Sequence, residues 1–151
     1  MAEARWLIAV RAAAFARLAA DPDSIDALST KAGFTTYVPL ALAYFAPAAA
    51  RALEGVVERP CSTVVGGVLG LVPPPRVGSV LARLDKLDLE RVKRVVAAAK
   101  PKLVTKVADD FQLVLGGEAS PDAAIAGELE QLRAFYRRVA RLGRGVAMYT
   151  S

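Results

Sequence analysis

The sequence predicts a mainly α fold, a helical bundle with a small β insertion of strand and hairpin elements between about 62 and 116. Three observations predict it. Ala-rich segments near both ends carry apolar residues at helical spacing, the middle turns β-branched and Gly-punctuated, and prolines mark the changes of character. At 151 residues, 54% hydrophobic and 23% charged, the chain suits one domain over 1–151. Its helical core is expected over about 1–58 and 120–150, around a mixed α/β insertion of about 61–117.

In chain order, residues 4–20 read as a first helix, with Trp6, Leu7, Ile8, Val10, Phe15 and Leu18 as its apolar content. Asp21-Pro22-Asp23-Ser24 breaks it and caps a short turn from Ile25 to Thr30. After Gly33 a longer helix is expected from about Thr36 to Glu58, with Pro39 tolerated in its first turn and Pro47 kinking it. Ala32 to Ala50 holds no charge and is nearly long enough to cross a bilayer. Its Thr, Tyr, Pro and Ala content favours a buried core helix instead.

Ser62 to Val72 is expected as a strand or extended segment ended by Pro73-Pro74-Pro75. Val77 to Leu84 fits helix or strand. Asp88 caps a helix over Leu89 to Ala99, which Pro101 ends. Lys102 to Lys106 and Phe111 to Leu115 are short β-like runs that pair as a hairpin across Asp109-Asp110, and Gly116-Gly117 closes the insertion. Ser120, Pro121 and Asp122 open a last helix running towards Tyr149, its final turns loosened by Gly143 and Gly145.

Charge carries the functional signal. The net charge is +5 and the pI about 9.7, yet residues 1–60 balance six basic against six acidic side chains. Residues 83–106 set eight basic side chains against three acidic ones. On the last helix, Arg133, Arg137, Arg141 and Arg144 fall within an arc of about 80°. The apolar Ile125, Leu132, Phe135, Val139, Leu142, Val146 and Tyr149 fall within about 120° on the other side. A solvated face that complements the helix dipole accounts for one such stripe without any function. Two basic segments point to a polyanion, and the bidentate fit of Arg to phosphate points to nucleic acid. Only Tyr136 stands beside a basic residue of the stripe, so backbone contact is expected rather than base stacking. The candidate binding residues are Arg91, Lys93, Arg94, Lys100, Lys102, Lys106, Arg133, Arg137, Arg141 and Arg144.

Catalytic chemistry is hard to place. With no His, zinc fingers, His-based triads and HExxH sites are excluded. Cys61 beside Pro60 reads as a buried structural thiol, unable to form an internal disulfide. Val65-Gly66-Gly67-Val68-Leu69-Gly70 lacks the spacing and the Lys-Ser/Thr ending of a phosphate loop. Asp109-Asp110 and the Glu128/Glu130 pair lack further ligands at metal spacing. No catalytic residue, metal site or cofactor is expected. The N-terminal stretch reaches Arg11 and Arg17 without a signal-peptide core, which makes the cytoplasm the expected compartment. Abundant Ala and scarce Asn and Gln fit a thermophilic source.

The stretch from Leu132 to Leu142, continuing through Val146-Ala147-Met148-Tyr149-Thr150, resembles the end of the small subunit of archaeal subtype I-A CRISPR interference complexes. Asp23-Ser24-Ile25-Asp26-Ala27-Leu28 and the apolar run Tyr37 to Phe45 are similar to that family's N-terminal half. The resemblance implies a non-enzymatic scaffold subunit of an RNA-guided complex. It would self-associate, pack against other subunits, and hold single-stranded DNA or an RNA–DNA backbone, with no membrane involved. The alternative reading of the residues is a helical protein–protein adaptor or self-assembling structural protein without nucleic-acid binding.

Overall fold

Trp6-Leu7-Ile8-Ala9-Val10 is dense in aromatic and branched side chains, and it forms a strand rather than the first turns of a helix. In the computed structural model, residues 5–28, 33–36, 38–47, 50, 57–64, 66–110 and 121–150 are described. Along them run β1 (Arg5–Val10), α1 (Ala12–Ala20), a 3₁₀ turn (Pro22–Ala27), β2 (Gly33–Thr36), α2 (Val38–Phe45), β3 (Val57–Pro60) and β4 (Val68–Val72). Then follow α3 (Pro74–Asp85), α4 (Leu89–Ala97), α5 (Pro101–Asp110), α6 (Pro121–Arg141) and β5 (Gly145–Thr150). All strand pairs are antiparallel, in one five-stranded sheet ordered β2-β1-β5-β4-β3.

The expected helical bundle with a small β insertion is therefore replaced by an α/β fold built on a sheet. Strands from both ends of the chain meet at its centre, where β5 pairs with β1 from Arg5↔Thr150 to Val10↔Gly145. On its other side β5 pairs with β4 from Gly70↔Met148 to Val72↔Val146. The physical reason is coverage on both faces. Leu7 and Ala9 face one helical layer while Ile8 and Val10 face the other, so β1 reads as one continuous apolar run. Such a run carries no period that separates a buried strand from a buried helix.

Three further expectations change. The helix expected over 36–58 is α2 over Val38–Phe45, and Val57–Pro60 is an edge strand; positions 51–56 lie outside the described residues. Lys102 to Lys106 is helical, because Pro101 sits at the first helical position and Leu103 and Val107 are four residues apart towards Ala41 of α2. Asp109-Asp110 ends that helix instead of turning a hairpin, and Phe111 to Ser120 lie outside the described residues. The prolines do end β4, and they also start α3, whose Val77, Val80 and Leu84 are buried.

One face of the sheet, through Leu7, Val72, Val146 and Met148, packs against α3, α4 and α6. α6 brings Ile125, Leu129, Leu132, Phe135, Tyr136 and Val139, all at most 3% exposed. Each such side chain contributes about 1.5–3 kcal/mol through removal from water. The opposite face, through Ile8, Val10, Leu69, Leu71 and Ala147, is covered by Phe15 and Leu18 of α1, Ile25 of the 3₁₀ turn, and Cys61.

The last helix stops where a strand must begin. The N–H of Arg144 donates to the Val139 carbonyl at 3.1 Å and that of Gly143 to Ala140 at 3.2 Å. This is a Schellman ending, with Gly143 at φ +65°. Residues beyond it leave the helical arc, so Val146 and Tyr149 belong to β5 and Leu142 is 52% exposed. Among the described residues no helix is long and apolar enough to cross a membrane.

Candidate functional site

Three of the four arginines expected in one stripe lie on α6, whereas Arg144 lies past the Gly143 stop and leaves the arc; the four differ in what holds them. Arg133 is 9% exposed; its Nε donates to the Leu84 carbonyl at 2.8 Å and one Nη to the Leu87 carbonyl at 2.6 Å. The other Nη pairs with Glu130 at 2.9 Å. The Leu84 carbonyl also accepts from the Leu87 N–H at 3.2 Å; the guanidinium adds a second donor there, supplies one to the Leu87 carbonyl just past α3, and opposes the negative helix end. Arg137 pairs with Asp85 at 3.0 Å on the surface. Arg141 is exposed and Arg144 half-exposed, and neither side chain has a partner among the described residues.

The residues of the second basic segment differ likewise. Lys93 pairs with Glu90 at 3.6 Å. Lys106 pairs with Asp110 at 3.3 Å and lies 5.9 Å from the centre of the Tyr44 ring. Arg91, Arg94, Lys100 and Lys102 are exposed and unpaired among the described residues. Asp88 caps α4 by accepting from the Arg91 N–H at 3.2 Å, which fixes where that helix begins. Val92 and Val96 then anchor α4 in the core, leaving Arg91, Arg94 and the 37% exposed Val95 outward. Lys102 lies in the first turn of α5, where no acidic residue offsets the positive helix end. A cation there is unfavourable by about 0.3–1 kcal/mol, whereas an anion is welcome.

Among the described residues, Glu128, Tyr136 and Asp23 are perturbed, each for a local reason. Burial raises the Glu128 carboxyl, opposed by the Thr36 hydroxyl donating to it at 3.3 Å. Burial raises the Tyr136 phenol, opposed by the positive charge of Arg5. The Ser62 N–H, donating at 2.8 Å, holds the Asp23 carboxyl below its ordinary value, helped by the Ser62 hydroxyl at 3.0 Å.

Those Asp23 bonds join the 3₁₀ turn to the loop after β3. In that loop Cys61 is buried, its thiol donating to the Pro22 carbonyl at 3.4 Å. Gly66 and Gly67, at φ +89° and +69°, turn the chain into β4. Sequence reasoning took Asp21-Pro22-Asp23-Ser24 as a local breaker. Its long-range partner is 39 residues away, and no spacing rule encodes that.

The fold is similar to one already solved. The crystal structure of YfbM from Escherichia coli, a protein of unknown function, matches 98% of this chain and 99% of its own with a TM-score of 0.63 at 17% identity. That likeness shows a common fold and nothing about activity. No family model matches the sequence, and no curated protein does.

Proposed function

We propose that this chain is a non-catalytic nucleic-acid-binding protein that grips the phosphate backbone through Arg91, Arg94, Lys100 and Lys102. The supporting observation is the distribution of pairing. The acidic neighbours Glu90, Asp110 and Asp85 are engaged by Lys93, Lys106 and Arg137, so four cations of α4, α5 and the link between them face solvent without an ion pair among the described residues. Exposed cations without counter-charges are what counterion release requires. Arg141 and Arg144 are secondary contacts. Arg133 is a holding residue of the fold, and Arg137 is engaged by Asp85 on the surface. A seat in an RNA-guided interference complex is the narrower form of this reading and rests on the sequence resemblance alone.

Titration of labelled single-stranded DNA across salt concentrations tests it. Four backbone contacts give a log–log salt slope near about −3, since each contributes about −0.7 on a single strand. Changing Arg91, Arg94, Lys100 and Lys102 together to Gln flattens that slope, whereas Arg137→Gln leaves it nearly unchanged. Absence of binding at low salt, or a quadruple variant that binds like the parent, overturns the proposal. Binding that prefers an acidic protein surface over DNA would favour the adaptor reading instead.

A further inference from the structure

Among the described residues, coverage of the sheet on the α1 side is incomplete. Between the 3₁₀ turn and the loop after β3 lies a cleft of about 220 Å³, room for about seven water-sized groups at ~30 Å³ each. Ile8 and Tyr149 form its floor, Ile25, Asp26 and Leu28 one wall, and Thr63 and Val64 the other. The walls are fastened to each other by the two Ser62–Asp23 bonds and by the Cys61 thiol on the Pro22 carbonyl. The floor is stiffened by Trp6, stacked on Tyr149 at 6.4 Å and 11°. The cleft is therefore formed in advance, which lowers the entropic cost of filling it.

Its chemistry is one-sided. Among the described residues, apolar side chains make most of the lining, no cation contributes to it, and its single charge is the Asp26 carboxylate. That carboxylate has no partner among the described residues. Asp21 and Asp23 stand on the same turn and deepen the negative potential. An anion would meet repulsion there. A wholly apolar ligand would strip water from Asp26 without replacing its hydrogen bonds. A protonated nitrogen satisfies the carboxylate.

We propose that this cleft is a binding site for a small organic amine, its nitrogen on Asp26 and its apolar body over Ile8, Ile25 and Tyr149. The site lies on the sheet face opposite α4, so it stands or falls independently of nucleic-acid binding.

Trp6 is the chain's one tryptophan, and its emission reports on the cleft floor. The full chain is titrated with phenethylamine, with uncharged 2-phenylethanol, and with 3-phenylpropanoate, at constant ionic strength. The expected result is a saturable change with the amine, at least about tenfold weaker binding of the alcohol, and none of the carboxylate. Asp26→Asn, at an exposed and unpaired position, reduces amine affinity by a similar factor. Val64→Phe, which fills the cleft, abolishes binding while the protein still melts cooperatively. Amine binding weaker than about 10 mM, equal affinity for amine and alcohol, or an Asp26→Asn variant that binds like the parent overturns the proposal.

Discussion

Arg133 Nε donates to the carbonyl oxygen of Leu84 at 2.8 Å, so a charged side chain of α6 completes the end of α3. The same guanidinium takes the Leu87 carbonyl at 2.6 Å. Removing it leaves the Leu84 carbonyl with the Leu87 N–H as its donor, takes the guanidinium from the Leu87 carbonyl, and unpairs Glu130. Arg133→Met is expected to lower the free energy of unfolding by about 2–4 kcal/mol in urea denaturation. Arg133→Lys recovers only part, because an ammonium lacks the planar fork that spans both oxygens. A loss below about 1 kcal/mol would show that this bridge is not structural.

Arg137 gives the contrast. Its pair with Asp85 has side-chain exposures of 55% and 44%, and exposed pairs are worth about 0–1 kcal/mol. Arg137→Ala is expected to stay within that range in the same denaturation experiment. A cost equal to that of Arg133→Met would contradict that contrast.

Two glycines should differ in the cause of their cost. Gly143 sits at φ +65° in open space, so Gly143→Ala loses about 1–2 kcal/mol from backbone strain alone. At Gly145 a Cβ would meet the Phe15 ring at 2.6 Å and the Val72 carbonyl at 2.9 Å. Gly145→Ala therefore costs about 1–3 kcal/mol through overpacking. Phe15→Val relieves only part of that clash, because the Val72 oxygen stays in place. Thermal melts of the two single variants and the double variant distinguish the mechanisms, and full rescue by Phe15→Val would refute the backbone contribution.

Glu128 predicts a pH effect of definite sign. Burial raises its folded-state pKa above the unfolded one, so the folded protein binds that proton more readily. Its contribution to stability is complete below the ordinary glutamate range and is lost as pH rises through the folded value. Glu128→Gln keeps an acceptor for Thr36 and carries no charge. The variant is expected to be more stable than the parent near pH 7, with the advantage vanishing near about pH 4. Asp23 behaves oppositely: its lowered pKa gives stability that is present above the ordinary aspartate range and lost on acidification. Urea midpoints of parent and variant at the two pH values isolate Glu128, and an advantage that grows on acidification would reverse the assignment.

What the sequence made legible was local. The cap at Asp88, the start of α6 at Pro121 and the end of β4 before the prolines all rest on neighbouring residues. What escaped was set at a distance. β1 and β5 are recognisable as strands only from each other, since neither Trp6–Val10 nor Val146–Tyr149 alternates once both faces are covered. The apolar arc of α6 ran on through Val146 and Tyr149 by coincidence of spacing, although Gly143 marked the stop. In the segment from Arg91 to Lys102 residue type and exposure were readable, while pairing was not, and on α6 the burial of Arg133 was not readable either. That Arg133 turns inward depends on where α3 ends, 49 positions earlier.

The central pairing of Arg5 with Thr150 also dictates the order of assembly. The β3–β4 hairpin, joining Pro60 to Val68, closes a short loop and can form early. Neither hydrophobic layer is complete until segments at opposite ends of the described chain find each other, at the largest loop-closure entropy the molecule has to meet. Such non-local topology belongs to the slow end of single-domain folding, about milliseconds to seconds. Until β5 arrives, β1 and β4 each expose an unsatisfied edge, which makes the half-built sheet, rather than the native surface, the state most prone to aggregate.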